Sequence, residues 1–292
     1  MHTLTNRMNL PQGIVHAVRN DPYNSGDCDI SVTRLITPPY QRRLMGTVPQ
    51  VEDAGDRIWS LLGQATHTIL ERAYPVPVGD EQLSIAEFLD KHKYLVERRL
   101  FTQEMGWTVS GAFDAYENFT LYDYKVTSVY AVMGEIKKEW EYQLNLLRLL
   151  AIRDGIEVRS LTIIAILRDW SKMKARLDRD YPQAQVVPVS IDVWSDDKAL
   201  EYLRERVRLH QMTDPEPCTA VDRWQRGDVW AVMKDGRKSA VKLHNNSNSA
   251  GDQRDLLGKG HTVIHRPGEY IRCGNYCSVA ASCPHHQAGI LF

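Results

Sequence analysis

The sequence predicts an α/β fold in which a central mixed sheet is flanked by helices, followed by a C-terminal hairpin segment that cysteines staple. Alternating side chains in two neighbouring runs, 106–115 and 120–127, have the period of extended strands. Helical periodicity appears on either side of them, at 58–74 and 134–152. Three closely spaced cysteines near the C-terminus are the third observation, because thiols at such spacing commonly hold a metal.

The composition limits the class of protein. The chain has 292 residues, of which 43% are hydrophobic, enough for one large domain or two small ones. The formal net charge of −1 argues against a generic basic DNA-coating protein but leaves room for a local positive groove. The N-terminus lacks a secretion-signal pattern and no apolar run is long enough to cross a bilayer, so we expect a cytoplasmic protein without a membrane contact.

Three segments are predicted along the chain. Residues 1–30 are expected to form an irregular arm, since prolines and glycines interrupt them. Residues 31–212 are expected to form the α/β core, and its remaining elements are strands near 94–101, 158–167 and 184–194 and a helix over 196–212 that Ser195 caps.

Residues 213–292 are expected to form the C-terminal segment. It begins at residues 213–217, where two prolines interrupt the helical pattern. It includes a β-hairpin over 229–243 that turns at Asp235-Gly236. The polar tract 244–252 is a predicted loop. This segment is too small for us to expect it to fold as an autonomous domain. A metal bound by its cysteines would cross-link the segment and explain how it stays folded.

Two carboxylates and an ammonium are predicted to converge on the two central strands. Asp123 and Lys125 project from the same face, and an antiparallel pairing brings Asp114 across to Asp123. Close carboxylates repel one another unless a cation neutralises them, and Mg²⁺ prefers carboxylate, water and phosphate oxygens. An ordinary surface Asp/Lys ion pair is the alternative for this D-x-K pattern taken alone.

The flanking helices carry two further polar candidates. Gly63, His67 and Glu71 share one stripe of the first helix, where Gly63 would allow a close approach to the sheet and His67 would face it as a third metal ligand. Gln143 borders the apolar stripe of the second helix and needs a polar partner. A satisfied histidine and a solvent-facing glutamine are the alternatives.

Taken together, these residues resemble the PD-(D/E)xK nuclease superfamily, and within it the RecB-type exonucleases of phages. The motifs that carry the resemblance are the G-x-x-x-H-x-x-x-E helix, the G-x-x-D strand that starts at Gly111, the D-x-K strand, the Gln-bearing helix and the entry segment 31–44. The resemblance implies a restriction-endonuclease-like core. Leu147 departs from the family pattern, which would place a tyrosine there.

The resemblance also assigns roles. It implies that His67, Asp114 and Asp123 bind Mg²⁺ or Mn²⁺, that the Val126 carbonyl is an extra ligand, that Lys125 is the catalytic lysine and that Gln143 contacts the substrate strand or orients a catalytic group. The expected activity is a metal-dependent DNA exonuclease of phage or mobile-element recombination and repair, acting in a bacterium or a phage-infected host. An endonuclease, and a nuclease-like DNA-binding or assembly subunit, are the alternatives.

The C-terminal cysteines predict a second metal centre. Cys273, Cys277 and Cys283 lie in a chain without a secretory signal, where thiols hold metals more often than they form disulfides. Cys218 is the first choice of fourth ligand and Cys28 the second. RecB-type relatives carry a 4Fe-4S cluster on one remote and three terminal cysteines, which implies that cluster here, while Zn²⁺ is the rival because it accepts the same thiolates.

DNA is the implied partner, and basic clusters around the acidic site are the predicted contacts. A polyanion needs cations around an acidic centre, and an interleaved indole can stack on a base. A single-strand annealing protein or a helicase is a further implied partner, and an oligomer is compatible with the sequence. The predicted nucleic-acid-binding residues are Lys137, Lys138, Trp170, Lys172 and Lys174.

Overall fold

A computed structural model of the chain describes residues 2–74, 80 and 82–287. The strands are β1 (His2–Thr5), β2 (Ile30–Ser31), β3 (Gln50–Asp53), β4 (Tyr94–Glu104), β5 (Trp107–Glu117), β6 (Thr120–Thr127), β7 (Ser160–Leu167), β8 (Val186–Ile191), β9 (Gln225–Arg226), β10 (Val229–Lys234), β11 (Lys242–His244), β12 (His261–Arg266) and β13 (Glu269–Tyr270).

The helices alternate with these strands through most of the chain. They are α1 (Gln12–Arg19), α2 (Val32–Leu35), α3 (Pro39–Thr47), α4 (Ile58–Leu70), α5 (Ile85–His92), α6 (Lys138–Arg153), α7 (Lys172–Leu177), α8 (Asp196–Gln211), α9 (Ser247–Leu257), α10 (Ile271–Asn275) and α11 (Pro284–Gln287). Among the described residues, none of the helices combines the length and the hydrophobicity needed to cross a lipid bilayer.

The chain forms two compact units. The sheet unit consists of His2–Thr37 and Val51–Pro215, and the cysteine unit consists of Pro38–Gln50 and the chain from Glu216 onwards. The predicted segment boundary at 213 lies close to the boundary between the units at 216. The cysteine unit also takes α3 from the N-terminal part of the chain, which the sequence did not indicate.

The sheet unit contains a six-stranded mixed sheet with the order β2-β5-β6-β7-β8, and β4 pairs with the other edge of β5. The β2–β5 and β6–β7 pairs are parallel and the others are antiparallel. The predicted α/β class with a central mixed sheet flanked by helices is therefore confirmed.

One buried core joins α6 to the sheet. Leu144, Leu147 and Leu150 of α6 are fully buried and belong to the same cluster as Phe113 of β5 and Ile163 of β7. This apolar stripe recurs at the spacing of one helical face, which is why the helix lies flat on the strands. The helix begins at Lys138, four residues after the predicted start.

Two loop predictions were wrong. Residues 1–30 contain β1, α1 and the first residue of β2, although the prolines predicted an irregular arm. The polar tract 244–252 begins helix α9, because the side chain of Asn246 accepts a hydrogen bond from the backbone N–H of Ser249 and caps the first turn. One capping residue thus allows a helix to form in a tract whose polar composition predicted a loop.

In the cysteine unit, β10 is the middle strand of a three-stranded antiparallel sheet, with β11 on one edge and β12 on the other. The β10–β11 hairpin lies where the sequence predicted it, with a longer connection than a two-residue turn because Val232 pairs with Lys242. Helix α9 connects β11 to β12 and buries Ala250.

Candidate functional site: an acidic cleft with a lysine

Three acidic residues form a row across the strands β4, β5 and β6. The pair Ala115–Tyr122 ends the β5–β6 ladder, so the next position along both strands sets Asp114 opposite Asp123. On the other edge of β5, Val96 pairs with Ala115 and Arg98 pairs with Phe113, which places Glu97 opposite Asp114. Residues directly opposite on antiparallel strands share a face of the sheet. The row therefore presents its carboxylates to one side.

The cleft opens because β5 lacks a strand partner in the middle of one edge. β2 pairs with that edge at Val109 and Ser110, and β6 pairs with it only from Ala115 onwards. The gap reaches Asp114, whose Oδ2 accepts a 2.5 Å hydrogen bond from the backbone N–H of Tyr124. That bond holds the carboxylate between the two diverging strands.

His67 of α4 contacts two of these carboxylates, those of Asp114 and Glu97. Its Nδ1 lies 3.3 Å from Asp114 Oδ1 and 3.7 Å from Glu97 Oε1. Its Nε2 lies 3.1 Å from the backbone carbonyl oxygen of Tyr124, so that nitrogen donates and Nδ1 faces the carboxylates. The hydrogen bonds to Asp114 and then Glu97 raise the pKa of His67 to about 10, so in the absence of another cation its proton balances the acids.

Asp123 is the most buried carboxylate of the cleft, with 1% of its surface exposed. Its Oδ1 accepts a hydrogen bond from Gln143 Nε2 at 3.0 Å, and its Oδ2 lies 2.5 Å from Lys125 Nζ. No hydrogen bond of normal geometry reaches Oδ2 among the described residues. Burial raises the pKa of Asp123, and the Lys125 ammonium opposes that rise.

The charge on Lys125 is held by its acidic neighbours. Burial alone would lower the pKa of Lys125, but the carboxylates of Asp123 and Asp114 outweigh burial and raise it. Its side chain keeps 28% of its surface exposed and lines the cleft. A cation beside carboxylates at such a position can hold a phosphate oxygen or a water.

The structure brings together the residues of the sheet unit that were predicted to bind metal or to act in catalysis. One cleft of about 650 Å³ is lined by His67, Asp114, Asp123, Lys125, Val126 and Gln143. Leu147 also lines it, at the place where the family pattern has a tyrosine.

The role predicted for Gly63 was wrong. A Cβ built on Gly63 would meet nothing within 4 Å, so this glycine faces the open cleft and does not bring α4 close to the sheet. The close approach occurs at Gly111 instead, where a Cβ would lie 2.5 Å from Leu147 Cδ2.

Glu97 is the site residue that the sequence interpretation missed. Among the described residues, the group of three or more acidic, cysteine or histidine side chains whose ligand atoms all lie within 4.8 Å of one another is His67, Glu97 and Asp114. Glu97 has a φ of 44°, an unusual value for a residue in a strand. The two-residue turn at Met105 and Gly106, both with positive φ, fixes the register that places Glu97 here, and Gly106 was the sequence signal for it.

This donor set fits a hard divalent cation. It offers carboxylate oxygens and one imidazole nitrogen, which are ligands that Mg²⁺ and Mn²⁺ accept. The buried Asp123 Oδ2, with its single ammonium neighbour, supplies a further oxygen directed at the same cleft. A cation would replace the proton that His67 now contributes.

A second cavity, of about 360 Å³, lies within the cysteine unit. Cys218, Cys273, Cys277 and Cys283 all line it, together with Tyr40 of α3 and His285. None of the five cysteines is in a disulfide. Cys28 belongs to the sheet unit, where its Sγ lies 3.4 Å from the Ser25 carbonyl oxygen.

Burial keeps the thiols of this cavity in their protonated form. Burial, together with the carboxylate of Asp222 and the neighbouring thiols, raises the pKa of Cys218 to about 12, although the Arg223 guanidinium opposes the rise. Burial also raises the pKa of Cys273 and of Cys277. Without a metal these thiols stay protonated, and a metal that took them as thiolates would displace those protons.

The predicted nucleic-acid contacts differ in how much surface they offer. Lys138 is paired with Glu141 at 2.9 Å, and Lys174 lies 5.8 Å from the ring centroid of Tyr181. Trp170 packs against the core and donates its indole N–H to the Pro182 carbonyl at 2.7 Å, so less of its ring is free to stack than the sequence suggested. All four lysines are exposed, and Lys137 and Lys172 have no ion pair with a side chain of the described residues.

Comparisons with known proteins identify no family. No family model matches the chain, and no curated protein matches it. Among solved structures, the crystal structure of SSO0001 is similar at 12% identity over 69% of this chain and 87% of that chain, with a TM-score of 0.42. A likeness at that TM-score carries no argument about function.

Proposed function

We propose that this chain is a DNA nuclease of the PD-(D/E)xK type that depends on Mg²⁺ or Mn²⁺, with a restriction-endonuclease-like core, and that it acts as an exonuclease. The observation that carries the proposal is the convergence of His67, Asp114, Asp123 and Lys125 in one cleft from one helix and two strands. A surface Asp/Lys pair would not bury Asp123 to 1% exposure beside a second acid.

His67, Glu97, Asp114 and Asp123 would hold the divalent cation. When bound, the cation would supply Lewis-acid stabilisation of the phosphate charge and would lower the pKa of a water molecule. His67 is held for this role by its Nε2–Tyr124 carbonyl bond, which fixes the ring orientation and leaves Nδ1 for the cleft. Its Nδ1 has to release its proton first.

Lys125 and Gln143 would complete the site. The Lys125 ammonium donates to an oxygen of the scissile phosphate or to the attacking water, and its neighbour Asp123 keeps it charged. Gln143 donates to Asp123 Oδ1 and thereby fixes the second oxygen toward Lys125. The amide is therefore a positioning group for the carboxylate.

The four cysteines of the cysteine unit would hold one metal centre, with Cys218 as the ligand remote in sequence. We favour a 4Fe-4S cluster over Zn²⁺ because the RecB-type nucleases that the sequence resembles hold such a cluster on one remote and three C-terminal cysteines, although Zn²⁺ would accept the same thiolates. Phosphodiester hydrolysis transfers no net electrons, so the centre would be a structural staple. It would join the C-terminal residues to Cys218 and thereby hold this unit folded.

The decisive experiment is digestion of matched DNA substrates with Mg²⁺ or Mn²⁺. We expect release of nucleotides from end-labelled linear DNA and survival of covalently closed circles, because an exonuclease needs an end. Rapid linearisation of a closed circle would instead establish an endonuclease. Binding without any cleavage by the intact protein would identify the nuclease-like DNA-binding subunit. A role in recombination or repair, with an annealing protein or helicase, is part of this proposal.

A further inference from the structure

An exposed tryptophan and an exposed arginine form a stacked pair in the sheet unit. The guanidinium carbon of Arg168 lies 4.1 Å from the ring centroid of Trp59. Trp59 keeps 53% of its surface exposed, which is high for the largest apolar side chain. A solvent-exposed indole beside a guanidinium is a suitable surface for a second planar group.

Trp59 of this pair lies on the same helix as two residues that line the acidic cleft, Gly63 and His67. Trp59, Gly63 and His67 recur every fourth residue on α4, so they share one stripe, and Trp59 is about 12 Å from His67 along it. Arg168 follows β7, and its backbone N–H donates to the carbonyl of Thr127, the last residue of β6. Ser60 and Gly63 line the same cleft as His67, which joins the cleft to this end of the helix.

A further cation, Lys137, lies within electrostatic range of Arg168 and of Lys125. Lys137 lies at the start of α6, with its ammonium 5.1 Å from the Trp140 ring centroid. Desolvation of the ammonium lowers the pKa of Lys137, and the Glu139 carboxylate opposes this. The charges of Arg168 and Lys125 lower the pKa further. A phosphate near these cations would reduce their mutual repulsion.

We propose that Trp59, Arg168 and Lys137 form a track that binds one strand of single-stranded DNA and leads it to the acidic cleft. The bases stack on the Trp59–Arg168 pair, and Lys137 and Arg168 contact the phosphates. This inference rests on the proposed nuclease function and adds the form of the substrate, since bases in a duplex are covered by their neighbours and cannot offer a face to the indole.

The matched control for this track is a second cation–aromatic pair on the same sheet. The guanidinium carbon of Arg159 lies 4.0 Å from the Phe119 ring centroid, and Phe119 is 38% exposed. Phe119 precedes β6, whereas Arg168 binds its last residue, so the two pairs are separated by about 26 Å of strand. The control has the same chemistry and lies away from the cleft.

The test measures binding of a fluorescently labelled single-stranded oligonucleotide, and of a duplex of equal length, by fluorescence anisotropy in EDTA. Without a divalent cation the full-length protein binds without cutting. Trp59→Ala is expected to weaken binding of the single strand by about fivefold or more, since one stacked base is lost. Trp59→Phe is expected to retain most of the affinity. Phe119→Ala and Arg159→Gln are expected to stay within about twofold of the wild type.

The outcomes separate this inference from the proposed function. If the wild type cuts DNA but Trp59→Ala binds the single strand normally, or weakens both DNA forms equally, the track is rejected and the nuclease stands. If the wild type neither binds nor cuts any DNA, both proposals fall. Should Trp59→Ala fail to fold, Arg168→Gln provides the same comparison from the other half of the pair, with thermal melting as the check on folding.

Discussion

Glu97 lies directly opposite Asp114 across the β4–β5 pair, and both carboxylates approach the same nitrogen of His67. The two residues are separated in sequence by a two-residue turn with positive φ at Met105 and Gly106. That turn fixes every cross-strand neighbour in the hairpin, including this one. The acidic site thus depends on a turn more than twenty ångströms of strand away, at about 3.3 Å per residue.

Glu97→Gln is expected to lower the affinity for Mn²⁺ by about ten- to a hundredfold, because it removes one carboxylate charge from the group around His67. Isothermal titration with Mn²⁺ measures this loss directly. Glu157→Gln, an exposed glutamate paired with Arg159, is the control and is expected to bind Mn²⁺ like the wild type. Equal affinities in Glu97→Gln and the control would remove Glu97 from the ligand set.

Lys125→Met is expected to lower the rate of DNA cleavage by about a hundred- to a thousandfold while Mn²⁺ binding persists, because the ammonium acts on the phosphate and not as a ligand. Asp123→Asn is expected to lose both properties, since Asp123 is a ligand. Single-turnover cleavage and Mn²⁺ titration distinguish the two variants. Lys198→Met, which removes an exposed lysine of α8, is the control. Near wild-type turnover in Asp123→Asn would sink the proposed metal site.

The sequence predicted the α/β class and the convergence of Asp114 with Asp123 because both depend on local patterns. Alternation fixes which side chains share a face, and the short connection at Asn118 and Phe119 fixes the β5–β6 register. The sequence did not identify Glu97 as a site residue, because its position depends also on the register of the β4–β5 hairpin. Met105 gives no strong turn signal, since a left-handed conformation is unusual for methionine.

Other features depended on tertiary packing that no local pattern records. Helix α4 has an apolar side, yet none of its residues is fully buried, and Leu62 and Ile69 are exposed. Hydrophobic periodicity reports what a helix can bury and not what lies against it. Helix α3 likewise belongs to the cysteine unit because of tertiary packing. It packs with side chains that are more than 170 residues away in sequence.

Gly111→Ala is expected to lower the free energy of unfolding by about 1–3 kcal/mol, because its Cβ would lie 2.5 Å from Leu147 Cδ2 and 3.0 Å from Val32 Cγ2 in a packed core. Gly63→Ala is the matched control in the same unit. Its Cβ meets nothing within 4 Å, so it is expected to leave stability unchanged or to raise it by about 0.5–1 kcal/mol through helix propensity. Urea denaturation compares the two, and a larger loss in Gly63→Ala would contradict this packing.

Asp53→Asn is expected to lower the melting temperature at neutral pH. Hydrogen bonds from the backbone N–H of Arg7 and the hydroxyl of Thr5 hold the pKa of Asp53 well below its usual range. A lowered folded-state pKa stabilises the protein above the unfolded pKa, and the gain is lost as pH falls through the folded pKa. The difference between wild type and variant should stay constant from about pH 7 to 5 and shrink below about pH 4.

Melting curves across this pH range provide the measurement, with Asp56→Asn as the control. Asp56 has 67% of its side chain exposed, and its ion pair with the exposed Arg7 is 3.3 Å long. Because solvent weakens such a surface pair, the substitution is expected to have little effect at any pH. A difference for Asp53→Asn that widens on acidification would reverse the sign of this linkage.

Cys218→Ser is expected to destabilise the cysteine unit at least as much as Cys273→Ser, because Cys218 is the ligand that ties the three terminal thiols to a distant part of the chain. Limited proteolysis measures the loss as faster cleavage after Glu216, and iron analysis of anaerobically purified protein measures loss of the cluster. Cys28→Ser is the control, since Cys28 belongs to the sheet unit. Zinc without iron after iron-replete anaerobic expression would reject the iron–sulfur assignment and keep the staple, whereas a mild Cys218→Ser beside a severe Cys28→Ser would exchange the fourth ligand.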